Sequence, residues 1–348
     1  MGTPRILVAP LDWGLGHTTR VIPVVRELLT AGAEVVLGGT AAQHTFLKPY
    51  FPLLETLPLN SYNISYRKHA GRDVFFQVPA VLRAIEEERQ ACAKWVSEGR
   101  VDGFISDNRY GVFHAKVPSV IISHQLSIAG PRIAAPFLKR MNRKHLAPFR
   151  EIWVPDVASA HNLAGKLSHS RDMRVSYLGM LSRFSHSTPI PNATGRPLAI
   201  ISGPERMRTE FENRVVQQFE ALAAPSLIVR GNPQLNSEQH GEVELVPHLA
   251  DAAMKQAIQE APLIVCRSGY STLMDLAALG RRAVLVPTPG QPEQEYLARW
   301  FSEQYGFTHR LQSQLGRHEL PASTGIWDHP FAFDPAPIRE WLYHQFKI

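Results

Sequence analysis

Short apolar runs alternate with longer amphipathic stretches along the first half of the chain. Arg5-Ile-Leu-Val-Ala-Pro10 is the first run; a glycine-rich turn follows, then a helical pattern carrying Val21, Val24, Val25, Leu28 and Leu29, which together read as a strand, a loop and a helix. Glu34-Val-Val-Leu-Gly38 reads as a second strand. Residues 74–98 have helical periodicity that stops at Gly99, and Val101-Asp-Gly-Phe-Ile-Ser-Asp107 and Ser119-Val-Ile-Ile-Ser123 are further strands. Strands alternating with helices predict a parallel, doubly wound sheet.

The rhythm breaks at Arg183 to Arg196 (RFSHSTPIPNATGR), where two prolines, a glycine and no periodicity mark a linker. It then restarts. Pro197-Leu-Ala-Ile-Ile201, Ser226-Leu-Ile-Val229, Glu244-Leu-Val246, Leu263-Ile-Val-Cys266 and Ala283-Val-Leu-Val286 are buried-type strands, separated by helical stretches at about 207–224, 249–260, 269–280 and 292–304. The expected organisation is therefore α/β, with two Rossmann-like doubly wound parallel-sheet domains over residues 1–185 and 197–333 and a linker at 186–196. Pro337-Ile-Arg-Glu-Trp-Leu-Tyr-His-Gln-Phe346 predicts an amphipathic closing helix within 334–348.

Length agrees with two cores, since the chain has 348 residues and single hydrophobic cores stop growing at about 250 to 300. Composition changes the picture in one respect, the placement of charge. Residues 1–185 hold 23 Lys/Arg against 14 Asp/Glu, and the remainder 14 against 17, so the first half should meet an anionic partner. No basic stripe interleaved with aromatics appears, which argues against nucleic acid and for a phosphorylated small molecule or an anionic membrane surface. Cys92 and Cys266 stand far apart in unpaired spacing, so neither a disulfide framework nor a cysteine metal site is indicated. No apolar run reaches the ~20 residues of a membrane span, and no signal-peptide pattern opens the chain, so a cytoplasmic location is expected.

Ligands of doubly wound sheets bind beyond the carboxyl ends of the strands. The first such loop is Asp12-Trp13-Gly14-Leu15-Gly16-His17-Thr18-Thr19-Arg20. Thr19 stands where a dinucleotide fingerprint needs its third glycine, and Gly38 and Gly39 stand where the ribose-binding acid would, so an NAD site is disfavoured. The glycines still admit a close ligand, and a helix starting near His17 offers free N–H groups to an anion. An imidazole there can take a proton near neutral pH from an attacking hydroxyl or water, or merely cap the helix.

The second half carries Cys266-Arg267-Ser268-Gly269-Tyr270-Ser271-Thr272-Leu273-Met274-Asp275, reaching Gly280, and then Val286-Pro287-Thr288-Pro289-Gly290-Gln291-Pro292-Glu293-Gln294-Glu295. A strand, a Ser-Gly turn and a helix start aim amide donors at a diphosphate, with Ser268, Ser271 and Thr272 adding hydroxyls. Asp275 lies one turn beyond Ser271, where a carboxylate can accept from a ribose diol, and Gln294 and Glu295 open the next helix within reach of sugar hydroxyls. Each residue alone also suits a plain helix surface; together, at consecutive strand ends, they describe a donor site.

This block resembles the family of the bacterial undecaprenyl-diphospho-muramylpentapeptide N-acetylglucosaminyltransferase, with Asp275 five residues before Gly280, a strand ending at Pro287, and Gln294-Glu295 in place of Gln-Gln. His17 matches the histidine closing that family's N-terminal glycine loop, and Gly179 and Arg183 match its element before the linker. The resemblance implies a GT-B fold with its domains facing across a cleft and a closing helix that returns to the first domain. It further implies an inverting, metal-independent transferase of a nucleotide-sugar, UDP-linked by expectation, with no cofactor. His17, helped by Asp12, would be the base. Gly14, Gly16, Arg183, Ser202, Gly203, His248, Leu249, Ser268, Gly269, Ser271, Thr272, Asp275, Gln294 and Glu295 would hold the donor.

Two departures qualify this. Ser202-Gly203-Pro204-Glu205 replaces the family's Gly-Gly-Ser-x-Gly phosphate loop; the proline donates no amide, and Glu205 repels a diphosphate unless it pairs with Arg206 or Arg208. The family's acceptor-binding sequences have no clear counterpart, which leaves the acceptor open, lipid-linked or otherwise. Gly16-His17-Thr18-Thr19-Arg20 also resembles the loop of the nucleotide-sugar hydrolase of pseudaminic acid biosynthesis, so hydrolysis is the alternative, followed by a GT-B epimerase and a non-catalytic nucleotide-sugar binder. Finally, Arg132 to Leu146 (RIAAPFLKRMNRKHL) sets Ile133, Phe137, Leu138, Met141 and Leu146 beside six basic or histidine positions. That pattern suits reversible contact with an anionic bilayer at the inner face of the plasma membrane, or a helix packed on its own domain.

Overall fold

The computed structural model describes residues 2–62, 78–127, 135–170, 173–184, 190 and 193–348. These form two compact units: residues 2–62, 78–183 and 332–348 in one, and the described residues of 184–331 in the other. Most of the linker expected at 186–196 and the first part of the expected basic stretch, 132–134, lie outside the described residues.

The first unit is built on a seven-stranded sheet. In chain order its elements are β1 (Arg5–Pro10), α1 (Leu15–Thr30), β2 (Glu34–Gly39), α2 (Ala41–Leu47), β3 (Glu55–Pro58), α3 (Val78–Ser97), β4 (Gly103–Asp107), β5 (Ser119–Ile122), α4 (Ala135–Leu146), β6 (Glu151–Val154) and β7 (Ser176–Tyr177). The strands lie in the order β3-β2-β1-β4-β5-β6-β7, and every pairing is parallel. β1 and β4 are central and buried over nearly their whole length, as continuous apolar runs covered on both faces must be. Leu7, Ala9, Val36, Phe104, Cys92 and Trp95 form a core on one face. The closing helix, numbered below, belongs to this unit: Trp341 packs edge-on against Trp153 at 5.7 Å, and Arg339 Nε donates to the Glu27 carboxylate of α1 at 2.5 Å. Gly179, at φ +66°, lets the returning chain pass, because a Cβ there would sit 1.9 Å from the Ala332 carbonyl oxygen.

The second unit has β8 (Leu198–Ile200), α5 (Met207–Glu220), β9 (Ser226–Val229), β10 (Glu238–His240), β11 (Val243–Val246), α6 (Asp251–Glu260), β12 (Ile264–Cys266), α7 (Tyr270–Ala278), β13 (Val284–Leu285), α8 (Pro292–Tyr305) and β14 (Thr308–His309); the closing helix is α9 (Ala336–Phe346). Its strand order is β10-β11-β9-β8-β12-β13-β14. The sheet is parallel except that the exposed β10 runs antiparallel on β11, a short hairpin that the expectation of a wholly parallel sheet did not include. Ala199, Phe211, Phe219, Ile228, Val265 and Val284 are among the residues of its core.

Of the apolar positions in the basic stretch, Leu146 turns inward. It is 1% exposed and packs with Phe149, Ile152, Ile121 and Leu126 in its own domain, because β5 and β6 need their face covered. Lys139, Arg140, Met141, Arg143 and Lys144 remain exposed on α4. Among the described residues no helix is long and apolar enough to cross a membrane.

Candidate functional site

Each sheet reverses its winding once. In the first unit the chain runs outward from β1 to β3 on one side and returns to place β4 on the other, so the loops after β1 and β4 flank the crevice where doubly wound folds bind ligands. Leu11 N–H donates to the Asp107 carbonyl at 2.9 Å, carrying the β1–β4 pairing into those loops. The Ser106 hydroxyl closes a tight turn after β4 by donating to the Arg109 carbonyl at 2.6 Å, with Asn108 at φ +57°, a left-handed conformation that asparagine tolerates.

His17 lies in the first turn of α1, and its Nδ1 sits 3.0 Å from Asp107 Oδ2 and 2.9 Å from Arg20 Nη2. The Arg20 guanidinium grips Asp107 with two nitrogens, Nε donating to Oδ2 at 2.8 Å and Nη2 to Oδ1. Arg20 is 1% and Asp107 0% exposed, so this is a buried ion pair against which the imidazole rests. Burial pushes the Asp107 carboxyl up, but Arg20 and His17 outweigh it and hold it at about 2. Burial, and then Arg20, lowers the pKa of His17, against the opposing pull of Asp107. The imidazole is thus neutral at pH 7, the form that can accept a proton. His124, from the loop after β5, comes within 3.4 Å of Arg20 Nη1.

Asp12 does something other than expected. It accepts from the Ser61 hydroxyl and from Tyr62 N–H at 3.2 Å, and it lies 3.6 Å from Arg109 Nη2. The carboxylate bonded to His17 is Asp107. Arg109, fully buried, anchors this neighbouring cluster by donating to the Pro10 carbonyl at 2.8 Å and to Glu88 at 2.7 Å, and the Tyr62 hydroxyl donates to the same carboxylate at 2.9 Å. Gly14, at φ +86°, makes the sharp entry into α1 and leaves its first turn without a side-chain cap.

In the second unit the reversal falls between β8 and β12. Gly269 is the N-cap of α7, so no side chain of the cap residue covers the start of that helix. Ser271, Thr272 and Asp275 are half-buried on that helix. Ser268 is fully buried and donates to the Gln294 carbonyl at 2.7 Å, which ties α8 to the Ser-Gly turn and commits its hydroxyl hydrogen away from any phosphate. Gln294 and Glu295 likewise turn back on their own loop, Gln294 Oε1 accepting from Thr288 N–H at 2.9 Å and Glu295 Oε1 from Gly290 N–H at 3.0 Å. Each of the three thus commits one polar group to bracing its loop. Glu205 is paired with Arg208 at 2.7 Å, which with the Thr209 hydroxyl holds its carboxyl below the usual range; Gly203 beside it is exposed at φ +113°, and Ser202 is half-buried. His248 is exposed and Leu249 half-buried before α6, Arg183 is half-buried, and Gly16 is half-buried and accepts from the Thr19 hydroxyl at 3.0 Å.

Sequence reading passed over Arg267. It is 1% exposed and donates to the carbonyls of Val286, Pro287 and Met207 and to Gln312, stacking over Phe211 at 4.0 Å. It thereby fixes the ends of β12 and β13 to the start of α5. Among the described residues no group of three or more His, Cys, Asp or Glu could hold a metal ion.

Two α/β units, each with a parallel or mainly parallel sheet and polar residues at its switch point, make up a GT-B fold. Solved structures agree: MurG of Acinetobacter baumannii superimposes with a TM-score of 0.55 at 16% identity, covering 99% of this chain and 90% of that one, and the glycosyltransferase SnogD of Streptomyces nogalater with 0.61 at 14%, covering 91% and 89%. The model of the glycosyltransferase family 28 C-terminal domain matches residues 231–324. The UDP-N-acetylglucosamine--N-acetylmuramyl-(pentapeptide) pyrophosphoryl-undecaprenol N-acetylglucosamine transferase of Methylorubrum populi is 35% identical over 319 residues, 85% of this chain and 80% of that protein. The chain belongs to the family of these transferases.

Proposed function

We propose that the protein transfers a sugar from a UDP-sugar to a hydroxyl of a lipid-linked cell-envelope acceptor, with inversion at the anomeric carbon. The observation that carries this is the His17–Asp107 contact at the β1/β4 switch point. Nδ1 has an acceptor, Asp107, and a donor, Arg20, within reach; the base is assigned to the tautomer with Nδ1–H directed at Asp107, which leaves the Nε2 lone pair free to take the acceptor proton, and the buried carboxylate steadies the imidazolium that forms. The hydroxyl oxygen then attacks the anomeric carbon, and the bonding pair leaves with the nucleoside diphosphate. The N-terminus of α7 meets the charge on that leaving group in place of a divalent ion.

The test is nucleotide release from a panel of nucleotide-sugars with and without membrane lipid extract. Lipid-dependent release supports transfer. Equal release without lipid means hydrolysis by the same histidine acting on water, and thermal stabilisation by donor with no release means a binding protein.

Asp275 on α7 is assigned to the donor ribose. Asp275→Ala is expected to lose charge-assisted hydrogen bonds worth about 1.5–3 kcal/mol each and to weaken donor binding in a folded variant; calorimetry showing unchanged affinity removes the assignment. The exposed cations of α4 are assigned to an anionic bilayer surface, at about 1 kcal/mol per basic residue. Wild type should co-sediment with anionic liposomes at low salt, and Lys139→Glu with Arg143→Glu should not. Equal sedimentation of both would return α4 to ordinary surface.

A further inference from the structure

The chain has six tryptophans, all among the described residues. Trp95, Trp153, Trp327 and Trp341 are at most 5% exposed, and Trp300 is half-buried. Trp13 is 44% exposed, with Leu15 beside it at 40%. Indole is large and ordinarily well buried, so one left in water at a switch point calls for an occupant.

The loop that presents it is braced. Asp12, with its side chain 8% exposed, is bonded by Ser61 and Tyr62, and Leu11 is bonded to Asp107. Gly14 turns the chain at φ +86°, with no atom of the described residues within 4 Å of the position a Cβ would take. Among the described residues, open space thus lies beside Gly14 in a braced loop that leads into the helix turn carrying His17.

We infer that Trp13 is a stacking platform for the sugar ring of the acceptor and a specificity-determining residue of the transfer, an inference that rests on His17 being the base. A pyranose has C–H faces that suit the electron-rich face of an indole, and a rim of hydroxyls. A ring laid on Trp13 turns that rim toward His17, where the reacting hydroxyl must lie within hydrogen-bond reach. An aliphatic tail on the same plate would strip water from the imidazole and the Asp12 edge and return no hydrogen bonds. The neighbouring polar groups therefore select a sugar over a prenyl chain.

Two measurements test this. In saturation-transfer NMR with methyl N-acetyl-β-glucosaminide as probe, the ring C–H protons of one face should be saturated by wild type and by Trp13→Phe, and not by Trp13→Ala. In nucleotide-release assays with lipid extract, Trp13→Ala should need about tenfold more acceptor for half-maximal rate, as 1.4 kcal/mol implies, with donor dependence unchanged and Trp13→Phe restoring most of it. Equal saturation and equal acceptor dependence in Trp13→Ala overturn the inference, as does saturation of the isoprenoid protons of undecaprenyl phosphate in place of the sugar's. Ring saturation by a wild type that shows no lipid-dependent release would sink the transferase reading and leave the platform standing.

Discussion

Replacing His17 with alanine is expected to lower turnover by about 10²- to 10⁴-fold, the range of general acid–base assistance, while donor affinity holds. The split follows from placement: His17 stands on α1 of the first unit, and the assigned ribose carboxylate and diphosphate-binding helix start stand on α7 of the second. The pH profile adds a second check. Because burial and Arg20 lower the His17 pKa from its ordinary 6.5, the base is already deprotonated at neutral pH. The rate should stay level as pH falls through 7 and drop only below 6.5, as the imidazole takes a proton. A near wild-type rate in His17→Ala would remove the base role, and an acid limb above pH 6.5 would contradict the buried setting. A strong loss of donor affinity would assign His17 to phosphate instead.

Elements whose apolar runs face the core on both sides were legible in the sequence. β1, β2, β4, β5, β8, β9 and β12 emerge as short apolar stretches because a strand covered on both faces can carry few polar residues. β3 escaped because Glu55-Thr-Leu-Pro58 buries only Leu57, and β7 and β14 have two residues each, too few for any period. The helix α2 did carry a readable signal, the Thr40-x-x-Gln43 capping box. At the site, His17 and Arg20 could be singled out from a local spelling. Asp107 was visible only as the last residue of a strand, since its contact with His17 spans 90 positions and depends on β4 lying beside β1. Ser268, Gln294 and Glu295 show the opposite limit: their residue types fit ligand binding, yet backbone groups of the neighbouring loops engage the Ser268 hydroxyl hydrogen and one oxygen each of Gln294 and Glu295. A motif states which groups are present, and only packing states which remain free.

The Arg20–Asp107 pair is where stability and catalysis meet, and Asp107→Asn should damage both. Both side chains are at most 1% exposed, so removing the carboxylate's charge leaves the guanidinium buried without a counter-charge, a loss of about 3–5 kcal/mol in such pairs. Denaturant titration at neutral pH should show that loss. The pH dependence has a definite sign. Asp107 is held at about 2 against an ordinary 3.8, so its contribution is fully present above 3.8 and is lost as pH falls toward 2. The gap between wild type and Asp107→Asn should therefore be level above pH 6.5, where His17 is neutral in both, and close in strong acid as Asp107 protonates. Turnover should fall as well, because an asparagine amide can donate to Nδ1 and favour the tautomer whose proton sits on Nε2, where the acceptor's proton has to go. Adding back stability with a saturating donor would not restore that rate. A variant within about 1 kcal/mol of wild type, well below the cost of stranding a buried charge, would show that Arg20 finds another partner. Full turnover in a folded variant would show that Asp107 does not set the His17 tautomer.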